Sequence, residues 1–445
     1  MPNDKLKSVI LTLFFTLGVY TSAINLFKLK GFSVYGFRVL LVALVAYFIY
    51  VGFKEKKLLN FNKLERLFLL FVGSYVVLGV FYLPVITSKG FFVKEMFYWA
   101  IALCILFVTF KFRAFFENKV ELKDLIYRVH LYLLAIIFVF VLFEMITAYH
   151  FGMQVRFTDR LFKNDPNRII YSPFFTFINP NNLAFYTLTT TSLILLFYRD
   201  KSFASRLFMF CSAALLLGIT ESRLNIISLG LLTIILVLPY LSKIKKDIVV
   251  IGSVVGVLVV SVFTTGIKQL EPSEEILEYH RVKDSVENAL LGELELDSLM
   301  QDSLVNPDKS ANIRVGIVKN SFNAMKESNY LGLGPGQFKS KLVSEELEYD
   351  VEGIQSPHGF LWKIVANYGI PGLTLLLFLV VGWLSILIKQ FKFTLELLYH
   401  LTFIAILFIN SFGPSEFLMQ AYVWTTIGLY VLLYGITTSQ QKNTQ

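Results

Sequence analysis

Three residues, His358, Arg314 and Arg223, are of the types needed to transfer a group carried on a phosphate. A guanidinium grips phosphate oxygens in a planar fork, and a neutral imidazole can take the proton of an attacking hydroxyl. His358 follows Ser356-Pro357, and ten residues separate it from Gly369, with Pro371 just beyond. That punctuation predicts a short helix capped by Ser356, with His358 in its first turn. Gly369 would be its left-handed C-terminal residue, and Pro371 would open the next helix. The positive end of a helix disfavours imidazolium, so the ring is expected to stay neutral, and it favours a phosphate nearby. A surface histidine without a role is the plainer alternative.

Arg314 lies near the start of a helix expected over 312–327, whose Val315, Val318, Phe322 and Met325 form an apolar stripe. Arg223 stands in Thr220-Glu-Ser-Arg-Leu between two apolar runs. There it needs an anionic ligand, a partner such as Glu221, or a snorkelling conformation. The turn Gly332-Leu-Gly-Pro-Gly336 lacks the lysine and hydroxyl residue of a nucleotide-binding loop. Its Gly334 and Gly336 instead permit a tight turn with close backbone approach. The five histidines are scattered. No metal and no organic cofactor is therefore expected.

The elements that must position these residues are hydrophobic. Of 445 residues, 55% are hydrophobic and only 16% charged, with a mean hydropathy of +0.62. Soluble domains carry about 25% charged residues, so the deficit points to lipid. Apolar blocks fall at roughly 8–27, 32–53, 66–86, 91–110, 129–149, 181–198, 206–220, 223–241, 247–266, 370–388, 395–412 and 417–436. Each reads as a helix able to cross the membrane. The expected fold is an all-α polytopic membrane protein of about twelve transmembrane helices, with one large, partly helical extracytoplasmic loop. Residues 1–266 would form an N-terminal bundle of about nine helices with an outer loop at 150–180. Residues 267–369 would form the catalytic loop, and 370–445 the C-terminal helices and a short tail.

Orientation follows from lysine and arginine in the short loops. Lys54, Lys56, Lys57 and Lys63, then Lys111, Arg113, Lys119 and Lys123, and later Lys243, Lys245 and Lys246 mark alternate gaps as cytoplasmic, which puts both termini inside. The long segment 268–357 then faces outward and holds 17 of the 32 acidic but only 9 of the 41 basic residues. The net charge of +9 is thus mostly a topology signal, and nucleic acid is not an expected partner. Cys104 and Cys211 both fall inside apolar blocks and read as small core side chains.

Taken together, Arg314, the Gly-x-Gly-x-Gly turn ending in Phe338, and His358-x10-Gly369 leading into a span resemble the O-antigen ligase and polysaccharide polymerase superfamily. The resemblance also takes in Asn179-Pro-Asn-Asn-Leu-Ala184 and the Ser222-Arg223 turn, and so covers about 170–372. It implies a bacterial cytoplasmic-membrane enzyme that moves a glycan from undecaprenyl diphosphate to an acceptor hydroxyl. By position, His358 would be the base, Arg314 and Arg223 would hold the diphosphate, and Asn181, Gly334, Gly336 and Gly369 would support them. A chain-length regulator would be a further partner. Ligases often show Arg-x3-Leu at the second arginine, whereas here the residue is Ile227. The Asn-Pro-Asn-Asn form favours a capsule-type polymerase, which adds the chain to another lipid-linked repeat unit. The alternative is a ligase, which transfers it to lipid-A core or another surface acceptor. A lipid-linked oligosaccharide transporter, or flippase, would instead place ionisable residues near the bilayer midplane.

Overall fold

The computed structural model describes residues 4–20, 25–29, 32–56, 58–147, 177, 180–198, 201–220, 223–237, 307–344, 346–349, 351, 359–392, 394–412 and 417–444. In chain order its elements are α1 (Asp4–Val19), the strands β1 (Asn25–Leu29) and β2 (Phe32–Tyr35), α2 (Gly36–Lys54), α3 (Lys63–Phe81), α4 (Lys89–Phe115) and α5 (Lys119–Thr147). There follow α6 (Pro180–Phe197), α7 (Phe203–Ile219), α8 (Arg223–Val237), α9 (Pro307–Glu327), α10 (Gln337–Val343), α11 (Phe360–Phe391), α12 (Leu395–Asn410) and α13 (Ala421–Thr444).

The expectation of about twelve spans is corrected. Among the described residues, six helices are long and apolar enough to cross a membrane: Gly36–Lys54, Lys63–Phe81, Lys89–Phe115, Lys119–Glu144, Phe360–Phe391 and Ala421–Gln440. The differences have local causes. The first block yields a 16-residue helix, and the antiparallel pair β1–β2 takes up the residues that would have completed the span. The block at 181–198 does form a helix, but Asn181, Asn182, Thr187 and Thr189–Thr191 dilute its hydropathy. Helices α7, α8 and α12 reach only 17, 15 and 16 described residues. The block at 247–266, most of the loop at 150–180 and the acidic half of the long loop lie outside the described residues.

The chain divides into two compact units. The first comprises Met1–Val129, Ala311–Leu397 and Ser415–Gln445. Its centre is the pairing of α4 with α13, where a Cβ on Gly428 would stand 3.1 Å from the Thr109 side chain. Small residues at such crossings let membrane helices approach closely and so gain dispersion contacts. Phe14, Phe37, Phe48, Phe112 and Phe115 interlock edge to face or tilted around α1, α2 and α4. Helix α3 starts with the pattern Asn62-x-x-Glu65, which forms a reciprocal capping box. Glu65 also accepts a 2.8 Å ion pair from Arg113 of α4. The second unit, His130–Ser310 with Leu398–Pro414, packs Ala184, Leu188, Phe210, Ala214, Leu229, Leu232 and Ile406 into one apolar core. Within it, Asn410 donates to Ser228 Oγ at 2.8 Å.

Replacing Asn62 with Ala removes the acceptor for the Glu65 amide. We expect a loss of about 1 kcal/mol, read as a lowered unfolding midpoint in detergent. Asn62→Asp keeps an acceptor and should lose much less.

Candidate functional site

The site grows from a break in α11. Gly369 sits inside that helix with φ 54° and ψ −143°, and Pro371 follows it. In an unbroken helix the amide of residue 370 would bond the carbonyl of Ala366, and that of residue 371 the carbonyl of Asn367. Here Ile370 N turns away and donates to Tyr330 O at 2.8 Å, and Pro371 has no N–H to give. Two backbone acceptors are thereby released inside a membrane protein, where no bulk water is at hand to satisfy them. The glycine-rich turn takes both: Leu333 N donates to Ala366 O at 2.9 Å, and Gly334 N to Asn367 O at 2.8 Å.

That docking dictates the glycines. At Gly336 (φ 75°) a Cβ would collide with the backbone of Phe91, and at Gly369 with Tyr330 O and the amide of Gly332. Both angles lie in the left-handed region that side chains avoid. The turn is held from the other side by α4 and the segment before it. Gln337 Oε1 accepts from Thr87 N at 3.2 Å, Thr87 Oγ1 at 2.8 Å and Ser88 N at 2.8 Å, while its Nε2 donates to Ser88 O at 3.1 Å. Tyr82 OH donates to Leu331 O and, at 3.3 Å, to Tyr368 O. Burial pushes that phenol up to about 12, so it remains a neutral donor across the working pH range.

Beneath the turn lies a charged network. Asn367 Oδ1 accepts from Phe338 N at 3.0 Å, and its Nδ2 donates to both oxygens of Glu95 at 3.2 Å. Lys363 Nζ pairs with Glu95 Oε2 at 3.2 Å. Glu95 is 3% and Lys363 8% exposed. Trp99, one turn further along α4, donates from Nε1 to the Tyr368 hydroxyl at 2.8 Å and stacks on Tyr75 with ring centres 4.3 Å apart. Sequence reasoning passed over Glu95, Gln337, Lys363 and Asn367. The available signal was a lone acidic residue in an apolar span and a lysine and asparagine four apart before Gly369.

The expected site residues are distributed as follows. Gly334, Gly336 and Gly369 come together in the docked turn. Arg314 is exposed on α9 in the same unit. That helix packs on the turn through Ile313, Ile317 and Ala324, which meet Phe338, Leu342 and Ala366. The expected stripe is therefore corrected: Val315 and Phe322 are 51% and 40% exposed. The buried face is completed by Asn320, which exchanges hydrogen bonds of 2.7 and 3.0 Å with the backbone of Tyr349. Helix α11 begins at Phe360 after Gly359. His358, expected in the first turn of this helix, lies outside the described residues. Arg223, the first residue of α8, and the half-buried Asn181, near the start of α6, belong to the other unit.

Ala at Gly336 or at Gly369 combines left-handed strain with a backbone collision. Each should cost more than about 2 kcal/mol, read as loss of folded protein in detergent. Gly73→Ala, where an added Cβ meets nothing within 4 Å, should be neutral or stabilising by up to about 1 kcal/mol.

No curated protein matches the chain. Residues 207–377 match the family model described as O-Antigen ligase, a segment that takes in Arg223, Arg314, the glycine turn, His358 and the Gly369 break. The chain thus combines several long apolar spans with a domain, over residues 207–377, of the O-antigen ligase family.

Proposed function

We propose that the protein transfers a glycan from a polyprenyl diphosphate, undecaprenyl diphosphate by the family resemblance, to an acceptor hydroxyl, and that it does so as a ligase. The carrying observation is the match of residues 207–377 to the O-antigen ligase family. It favours ligase over polymerase, because the matching family is described as O-Antigen ligase.

In this reading His358 takes the proton of the acceptor hydroxyl as its oxygen attacks the anomeric carbon of the donor sugar. The bond from that carbon to the diphosphate breaks, and the lipid diphosphate leaves with the electron pair. Arg314 and Arg223 hold the diphosphate and stabilise its growing charge. The segment 267–369, with both ends of the chain cytoplasmic, would present the site on the extracytoplasmic side of the bacterial inner membrane. A chain-length regulator is the partner to look for in a polymerase. The ligase reading needs none.

The test compares His358→Ala, Arg314→Ala and Arg223→Ala in the native host, with insertion checked. His358→Ala should lower transfer by about 10²- to 10⁴-fold. Each arginine variant should lose about 10²- to 10³-fold. Long chains accumulating on the lipid carrier identify a ligase, whereas single lipid-linked repeats without long chains identify a polymerase. Unchanged surface polysaccharide in stable His358→Ala protein defeats the assignment.

A further inference from the structure

Helix α9 ends in a corner defined by its own hydrogen bonds. Tyr330 N donates to Met325 O at 2.8 Å, and Asn329 N to Lys326 O at 3.0 Å. This is the pairing of a Schellman cap, in which a residue just past the helix turns left-handed. Asn329 does so with φ 52°, an angle asparagine accepts better than most side chains. Tyr330 is the anomaly. It too is left-handed, with φ 65°, where a bulky side chain is an outlier and glycine would be at ease. In such a cap the residue at this position usually folds back on the last turn of the helix. Here Met325 is buried, while Tyr330 is 50% and Leu331 59% exposed. The backbone is thus held in a costly shape that leaves two apolar side chains turned outward.

The level of this corner follows from how α3 and α11 run. Tyr75 OH donates to Gly372 O at 2.6 Å, the Phe68 and Trp383 rings lie 4.9 Å apart, and a Cβ on Gly382 would meet Leu67 at 3.1 Å. The two helices are antiparallel, and that register sets Ile370 level with the last turn of α3. Helix α3 runs from Lys63 to Phe81. That is about 28 Å, close to the thickness of the hydrocarbon, so its last turn marks one face of the bilayer. There Ile370 N donates to Tyr330 O, and Tyr82, directly after α3, donates to Leu331 O. Phe81, Leu83, Val85 and Ile370 are each more than half exposed. The corner therefore joins a rim of apolar side chains at the end of two spans. Such a rim suits the boundary of headgroups and acyl chains, where a tyrosine keeps its ring in hydrocarbon and its hydroxyl in water.

We propose that Tyr330 and Leu331 form a membrane anchor, entering the bilayer from the segment between α9 and the glycine turn. The occupant of this surface is bilayer lipid. The left-handed Tyr330 keeps the pair from folding back on the helix. The carbonyls of Tyr330 and Leu331, by accepting from Ile370 and Tyr82, fasten the anchor to both spans. The anchor does not depend on the transfer reading.

The experiment uses the full chain with Cys104 and Cys211 replaced by Ala. It is held in nanodiscs of synthetic phosphatidylethanolamine and phosphatidylglycerol, which contain no polyprenyl diphosphate. A nitroxide is attached at Leu331→Cys and, in a second protein, at Glu346→Cys. Glu346 is exposed on the segment that continues to the side of α9 at Asn320 and Asn323. Power saturation reads collisions with oxygen, which dissolves in lipid, and with a nickel chelate, which stays in water. At residue 331 oxygen should dominate, with a ratio that sets the label about 5–10 Å inside the headgroup boundary. At residue 346 the chelate should dominate. Should Leu331→Cys fail to insert, Tyr330→Cys carries the same expectation. A label at 331 that the chelate reaches as readily as at 346 overturns the anchor. A label shielded from both reagents also overturns it, because protein then covers the corner, and dipolar broadening between labels would identify that cover as a second copy.

Discussion

An unbroken helix satisfies its own backbone, and a broken one inside a membrane protein must find partners elsewhere. Gly369 and Pro371 break α11, and the rest of the first unit is arranged around the two carbonyls this releases, those of Ala366 and Asn367. The glycine turn exists to reach them. It needs left-handed angles at Gly332, Gly334 and Gly336 to present its amides. It also needs Gln337 and Tyr82 to tie its own ends to α4 and the 82–88 segment. Remove the break and the turn has nothing to bond; remove the turn and the break leaves polar groups stranded.

The same geometry explains why charge is tolerated below the turn. Asn367 uses its carbonyl on Gly334, its side-chain oxygen on Phe338 and its side-chain nitrogen on Glu95. The carboxylate then has a lysine and an amide to face, which lowers the cost of holding it out of water. A single asparagine thus joins the backbone of the turn to the buried ion pair. Residues 330–344 and the helices α4 and α11 are consequently one folded body within this unit.

For the proposed chemistry, the arrangement would separate holding from reacting. The docked turn and its contacts with α4 are made of backbone amides, buried aromatics and a neutralised ion pair. Arg314 sits exposed on a helix anchored by Ile313 and Ile317 to the turn. In the proposed transfer these rigid parts would supply only placement.

The sequence by itself determined the class of protein and most of the punctuation. Charge depletion and apolar blocks gave a helical membrane protein, and the Gly369–Pro371 pair marked the break. The resemblance carried by Arg314, His358 and the glycine turn is borne out by the family match. These features were legible because each is a local rule about backbone geometry or composition. The number of spans was not, because an apolar run does not reveal that Asn25–Leu29 and Phe32–Tyr35 pair as strands or that threonines thin out α6. Nor was the stripe of α9 that faces inward, since Val315 and Ile313 are equally apolar and only the packing partner chooses between them. The Glu95–Lys363–Asn367 network joins residues more than 260 positions apart. Only tertiary structure can bring such groups together, and only there does a lone glutamate in an apolar helix acquire its counter-charge.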